Sequence, residues 1–492
     1  MASHLRRQRR RPRGYAGYRC RRGVERIVEV AAPLAHSPRN FFARFVARRR
    51  PCVLRSFAYF ADLGIVSSHV GDPAGFCGAL RRIAGDAMVR VEVRCLQGPR
   101  PFGLGRERRV RLKRFLDRAT RRARRAEPCE WYLTTQDLDE DEEGRPSLAA
   151  MPSAALLTHG GCPLRPPVLP TLIPANFNLW IGAAADLDSS GLHHDFHDNL
   201  LVLVCGAKRL RLWDPSRTRD LRPAGGAPRR VFPNGRIVYA SRPRVRQDGR
   251  DRDADEASRI ARCLDEADDD DDIDRLLDRA LDIETTTTTT KTKTSARERM
   301  GPPDNFARLP TTTAARTLPR LRAVDLRPGD AIFIPAGWWH DVQSRGGLHA
   351  AFNYWFHPPD TPSFSRPYAS NFWHADFQTR LKDDPLLCYL VVDVYCILLP
   401  LLLVVAVFVV LGHEAPGSWH GAVEEEKTAA RDPTNATSIV GSFEQLLVVR
   451  IPFLGWRDAR HSSTLALTSS TLKCRLASSV RRWVVVVSNT GS

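Results

Sequence analysis

Eleven cysteines are scattered through the chain, yet no Cys-x-x-Cys pair occurs. That absence argues against a structural zinc module and a dense disulfide framework, and it favours a reducing compartment. No chromatin-reading finger is visible. Acids are missing before Glu25, whereas Met1 to Arg50 holds fifteen arginines against only Glu25 and Glu29. The run Arg6 to Arg13 therefore reads as a nuclear-localisation or nucleic-acid arm, as an arginine-rich transit peptide, or as a solvated tail. A second basic stretch, Arg106 to Arg125, has helical character and few aromatics, which suits a solvated face or nucleic-acid contact. The net charge of +19 over 492 residues also suits an acidic protein substrate.

Composition divides the chain. Residues 1–24 form the basic arm, and 25–242 the first part of a folded domain. Residues 243–302 turn to charge and repeats, with acids unbroken from Asp268 to Asp272 and threonines from Thr285 to Thr290. A β core cannot bury such a segment, so it reads as a disordered insertion, tolerated because loop-closure entropy grows only logarithmically with length. The domain resumes at 303–360, followed by an extension at 361–385. Leu386 to Gly412 is almost wholly apolar, and Val394 to Gly412 carries no charge, which makes 386–412 a candidate transmembrane helix. Arg380 and Lys382 before it and Glu414 after it place the folded domain in the cytoplasm if that segment spans. Without such an anchor, a cytoplasmic or nuclear protein is expected. The tail, 413–492, shows no clear periodicity and ends in the β-prone run Trp483 to Val487.

The chemistry-bearing stretch runs from Gly191 to Pro215. In an extended chain, residues two apart share a face, so His193 and Asp195 can converge on one ion while His194 points away. His197 shares that ligand face and is the alternative to His193. An imidazole and a carboxylate need a second imidazole to form the facial triad of non-haem iron(II) oxygenases. His340 supplies a candidate. It follows the turn Pro328 to Asp330 and a short apolar strand. After Gly206 the alternation sets Lys208, Leu210 and Leu212 on one face, so Lys208 points inward and needs an anionic partner.

This arrangement, His193 and Asp195 with Asn199, Lys208 and the block from Pro328 to His340, resembles the small JmjC-domain 2-oxoglutarate oxygenases. The likeness extends from about Val24 to Pro359: Ser37 to Arg55 is similar to the family's opening segment, Trp131 to Gln136 to its aromatic strand, and Asn176 to Gly182 to the strand before the metal motif. It implies a mainly β fold, a double-stranded β-helix of the cupin or jelly-roll type, with an N-terminal α/β extension. It also implies iron(II) held by His193, Asp195 and His340. The far carboxylate of 2-oxoglutarate would bind Lys208 and Asn199 with a hydroxyl from Tyr132 or Ser190, and its 2-oxo acid would chelate the metal. Asn353, on a late strand, would face the same site. The implied function is hydroxylation, or demethylation, of a protein side chain, consuming dioxygen and releasing CO2 and succinate. A tRNA-modifying hydroxylase, favoured by the basic arms, and a non-catalytic cupin-like binding protein are the alternatives. Retention of all three ligand types and Lys208 weighs against the last.

Overall fold

The computed structural model describes residues 14–21, 23–31, 37–95, 105–122, 129–140, 145–184, 188–241, 245–250, 260, 275 and 302–383, with the backbone of 472–479 and 482–489. The basic arm before residue 14, most of the acidic and threonine-rich insertion and the candidate span 386–412 lie outside the described residues. Among the described residues, no helix is long and apolar enough to cross a membrane. The described residues up to 383 belong to one compact unit and those from 472 onward to a second.

In chain order the strands are β1 (Val24–Glu25), β2 (Val28–Val30), β3 (Cys52–Leu54), β4 (Met88–Cys95), β5 (Arg106–Arg111), β6 (Cys129–Leu133), β7 (Pro174–Ala184), β8 (Asp188–Ser189) and β9 (His193–His194). They continue as β10 (Asp198–Trp213), β11 (Arg230–Val231), β12 (Ile237–Val238), β13 (Arg320–Leu326), β14 (Ala331–Ile334) and β15 (Trp339–Phe356). In the second unit, β16 (Leu472–Ser479) and β17 (Arg482–Asn489) pair as an antiparallel hairpin.

The first unit is mainly β. A 13-stranded mixed sheet, consistent with a cupin or jelly roll, contains every strand of that unit except the small β11–β12 pair. Its long members are β10 and β15, antiparallel from Asp198–Phe356 pairing at one end to Trp213–Trp339 at the other. The remaining edge of β10 pairs first with β14 and then with β13, and the far side of β15 pairs with β7, β8 and β9. This expectation of a β-rich fold therefore stands at the level of a large mixed sheet.

Side-chain alternation along β10 separates two cores. Leu200, Val202 and Val204 join a large cluster in which helices Pro73–Ala84 and Leu112–Arg122 cover the sheet with Phe76, Leu80 and Phe115. Leu201 and Leu203 face the opposite, inner cluster, with Ile332, Ile334 and Trp338. Each fully buried aliphatic side chain contributes roughly 1.5–3 kcal/mol, so the two faces are strongly specified. At Gly206, φ +79°, the register between β10 and β15 shifts. Beyond that bulge the parity reverses, and the even positions Leu210 and Leu212 join the inner cluster.

Two segments depart from the composition-based reading. Arg106–Arg111, expected to be helical, is strand β5 at the edge of the sheet, paired with β4 and buried only at Val110. Pairing with a waiting edge overrides a helical pattern in so short a run. Residues 245–250, assigned by composition to the insertion, pack on the domain: Asp248 is buried, pairs with Arg250 and accepts a hydrogen bond at its carbonyl from Trp373 Nε1 at 3.1 Å.

Candidate metal centre

Gly191, at φ +75°, turns the chain into β9, whose His193 pairs across the ladder with His340 of β15. The two imidazole centroids are 4.3 Å apart, and Phe306 stacks on the far face of His193 at 5.0 Å. Asp195 completes the group: the ligand atoms of His193, Asp195 and His340 all lie within 4.8 Å of one another. Among the described residues, this is the group of histidines and acids arranged to hold a metal ion.

The hydrogen bonds around these side chains prepare them for that task. His193 Nδ1 contacts the Gly191 carbonyl at 2.9 Å, and His340 Nδ1 contacts the Trp338 carbonyl at 2.9 Å. A carbonyl only accepts, so both rings carry their proton on Nδ1 and present a bare Nε2 lone pair. Those Nε2 atoms lie 3.9 and 3.7 Å from the two Asp195 oxygens, too far for hydrogen bonds and spaced for an ion between them. Burial and the neighbouring His340 push the His193 imidazole down to about 4. Burial alone would raise the Asp195 carboxyl, yet His340, His193 and Asn199 hold it below its ordinary value. The donor set is therefore two imidazoles and one carboxylate, the chemistry that fits a divalent first-row metal with open positions.

The neighbouring histidines have other work. His194 is fully buried on the opposite side, with Nε2 2.8 Å from the Tyr239 hydroxyl and its ring edge against Trp339. His197 stacks on Trp355 at 5.7 Å, outside the group.

Asn199 donates from Nδ2 to Asp195 Oδ2 at 3.0 Å. Its Oδ1 accepts from Asn353 Nδ2 at 3.1 Å, and Asn353 Oδ1 accepts from Trp180 Nε1 at 3.2 Å. Asn199 thus links the Asp195 carboxylate to Asn353 and Trp180. Lys208 lies elsewhere on the same inner face, buried, and donates to Ser344 Oγ at 2.9 Å. The Lys208–Ser344 pairing is four residues along the ladder from the Leu212–His340 pairing, about 13 Å of strand. Ser190, by contrast, contacts the backbone with its hydroxyl, at Gly191 O and Val342 N. Tyr132 is buried near the Lys208 end, its ring 5.8 Å from that of His349.

Ser344 and His349 went unnoticed in the sequence. Ser344 has a readable signal, since it lies two strand steps beyond Val342 and four residues beyond His340 on one alternating face. His349 has none, because the register shift in β15 intervenes.

A family profile described as a cupin-like domain matches residues 38–362, which covers every side chain just described. The chain belongs to the cupin-like domain family. The chain is also similar to a JmjC domain-containing protein 4 from Schizosaccharomyces pombe, 28% identical over 436 residues, covering 69% of this chain and 87% of the relative.

Proposed function

We propose that this cupin-like protein is an iron(II)- and 2-oxoglutarate-dependent dioxygenase that hydroxylates, or demethylates, a protein side chain. The observation that carries the reading is the convergence of His193, Asp195 and His340 with a buried lysine, Lys208, on the same inner face of one sheet. A strand separation of about 13 Å between the two ends is one that a lysine side chain and a small dicarboxylate together would bridge.

In this reading His193, Asp195 and His340 hold the metal, and Lys208 with Ser344 receives the far carboxylate of 2-oxoglutarate. Bound iron(II) supplies dioxygen activation, with 2-oxoglutarate leaving as succinate and CO2 while one oxygen atom enters the substrate. The chain's own contribution is placement. Asn199 keeps the Asp195 carboxylate facing both imidazoles, and the Gly191 and Trp338 carbonyls keep the ring nitrogens in the metal-binding tautomer. Inner-face leucines and Trp338 supply the apolar cluster on that face.

The test is direct. The purified full chain with iron(II) should convert 2-oxoglutarate to succinate, slowly even without substrate, and His193→Ala should lose both turnover and iron binding. Absence of turnover together with wild-type iron binding by His193→Ala would leave the binding-protein alternative. A tRNA-modifying hydroxylase is the second reading, favoured by the exposed arginines 106, 108, 109 and 111 on edge strand β5. Binding of tRNA that weakens steeply with salt supports it, and salt-independent capture of a protein substrate opposes it.

A further inference from the structure

At the Lys208 end of the inner face, His349 is fully buried and its Nε2 has no hydrogen-bond partner. A buried polar atom left so is unfavourable, and beside a candidate site it points to a ligand that satisfies it. The ring's other nitrogen, Nδ1, contacts the Gly347 carbonyl at 3.3 Å, so it carries the proton of the neutral ring. Nε2 is therefore a free lone pair.

The surroundings are built to leave that atom open. Gly182 of β7 pairs directly with His349, and a Cβ at Gly182 would come within 2.9 Å of Nε2 and 2.6 Å of Tyr132 Cδ2. Gly206 on β10 backs the other side, where a Cβ would meet His349 Cβ at 2.5 Å. The groups facing the ring are Lys208 from β10, Arg94 from β4 with its partner Glu130 from β6 at 3.1 Å, and the Tyr132 ring. Burial, Lys208 and Arg94 hold the imidazole well below its ordinary range. A neighbouring anion would act against that shift.

We propose that His349 is a second binding group for the carboxylate received by Lys208, and that its Nε2 takes up a proton as the carboxylate enters. The proton comes from solvent; the imidazolium then donates through Nε2 to the carboxylate and through Nδ1 to the Gly347 carbonyl. This inference rests on the 2-oxoglutarate reading above.

Isothermal titration of the manganese-loaded full chain tests it, with two ligands in two buffers of different ionisation enthalpy. One ligand is 2-oxoglutarate; the other is 2-oxopentanoate, which carries a methyl in place of the far carboxylate. Wild type should prefer 2-oxoglutarate and take up a proton on binding it. His349→Ala should weaken 2-oxoglutarate by about ten- to a hundredfold, the range for a hydrogen bond to a charged group, and leave 2-oxopentanoate unchanged. His349→Gln, which keeps a donor near the Nε2 position, should restore part of the affinity without proton uptake. If His349→Ala does not fold, the glutamine variant and the wild-type proton count decide. Wild-type preference with no proton uptake, or an undiminished preference in the variants, overturns the role of His349 and leaves the 2-oxoglutarate reading intact. A wild type that binds neither ligand, or does not distinguish them, overturns both.

Discussion

Arg49 and Asp198 form a buried bidentate ion pair, with Nη1 2.7 Å from Oδ2 and Nη2 on Oδ1, although 149 residues separate them. The pair is tied into the metal centre from both sides. Asp198 Oδ1 accepts from the Ala336 amide at 2.9 Å, and the Arg49 carbonyl accepts from Trp338 Nε1 at 3.0 Å. Trp338 in turn offers its own carbonyl to His340. Arg49→Ala should therefore destabilise the fold by about 3–5 kcal/mol, the cost of stranding a buried charge, whereas a double replacement by apolar residues of similar volume should lie much closer to wild type. Chemical denaturation of the two variants and wild type measures both differences. Equal losses in the single and double variants would show that packing, not the stranded carboxylate, sets the effect.

Gly206 makes a second prediction because it is both a left-handed residue and a point of close approach. Its φ is +79°, and an added Cβ would lie 2.5 Å from His349 Cβ. Gly226 has nearly the same φ, +81°, but open space around it. Gly226→Ala should then cost only the conformational penalty, about 1–3 kcal/mol, while Gly206→Ala adds the clash and should lower the denaturation midpoint further. Matching midpoints for the two variants would mean that the ladder moves aside freely at the bulge.

That bulge also marks where the sequence ceased to be readable. Alternation brought out His193 with Asp195 and the inward-facing set Lys208, Leu210 and Leu212, because each set lies within one uninterrupted run. It could not relate Asn199 to Lys208. An odd and an even position share the inner face only because the register shifts between them, and an isolated glycine in a strand does not reveal by itself whether the chain turns, bulges or runs on. Asn199, assigned to the co-substrate by resemblance, donates to Asp195, and Lys208, for which the resemblance implies a hydroxyl from Tyr132 or Ser190, donates to Ser344. Arg49 was illegible for a different reason: a contact between residues so far apart leaves no local pattern.

The ligands and their supports should separate by magnitude. His193→Ala and His340→Ala each remove an imidazole from the donor set and should abolish manganese binding at micromolar metal. Asn199→Ala leaves all three ligands but frees the Asp195 carboxylate to rotate, so affinity should fall by about 10- to 100-fold. Calorimetric titration of each variant with manganese checks the order. Wild-type affinity in Asn199→Ala would show that the backbone alone holds Asp195 in place.

Acid should loosen the fold through histidines that it keeps uncharged. Burial pushes His194 down to about 3, from an ordinary value near 6.5. Burial also holds His349 and His357 well below that value. Between about pH 6.5 and 3, then, the unfolded chain binds more protons at these positions than the folded one, and stability rises with pH across that window. Read downward, stability is lost as pH falls below about 6.5, with each such histidine contributing a slope of at most about 1.4 kcal/mol per pH unit. His194→Gln removes one titrating group. It should lower stability at pH 7, where the bond to Tyr239 is weakened, yet flatten the decline between pH 6.5 and 5 by up to one proton. Denaturant titrations at a series of pH values give both slopes. An unchanged slope in His194→Gln would mean that His194 is protonated in the folded state, paired with the Tyr239 oxygen rather than neutral beside it.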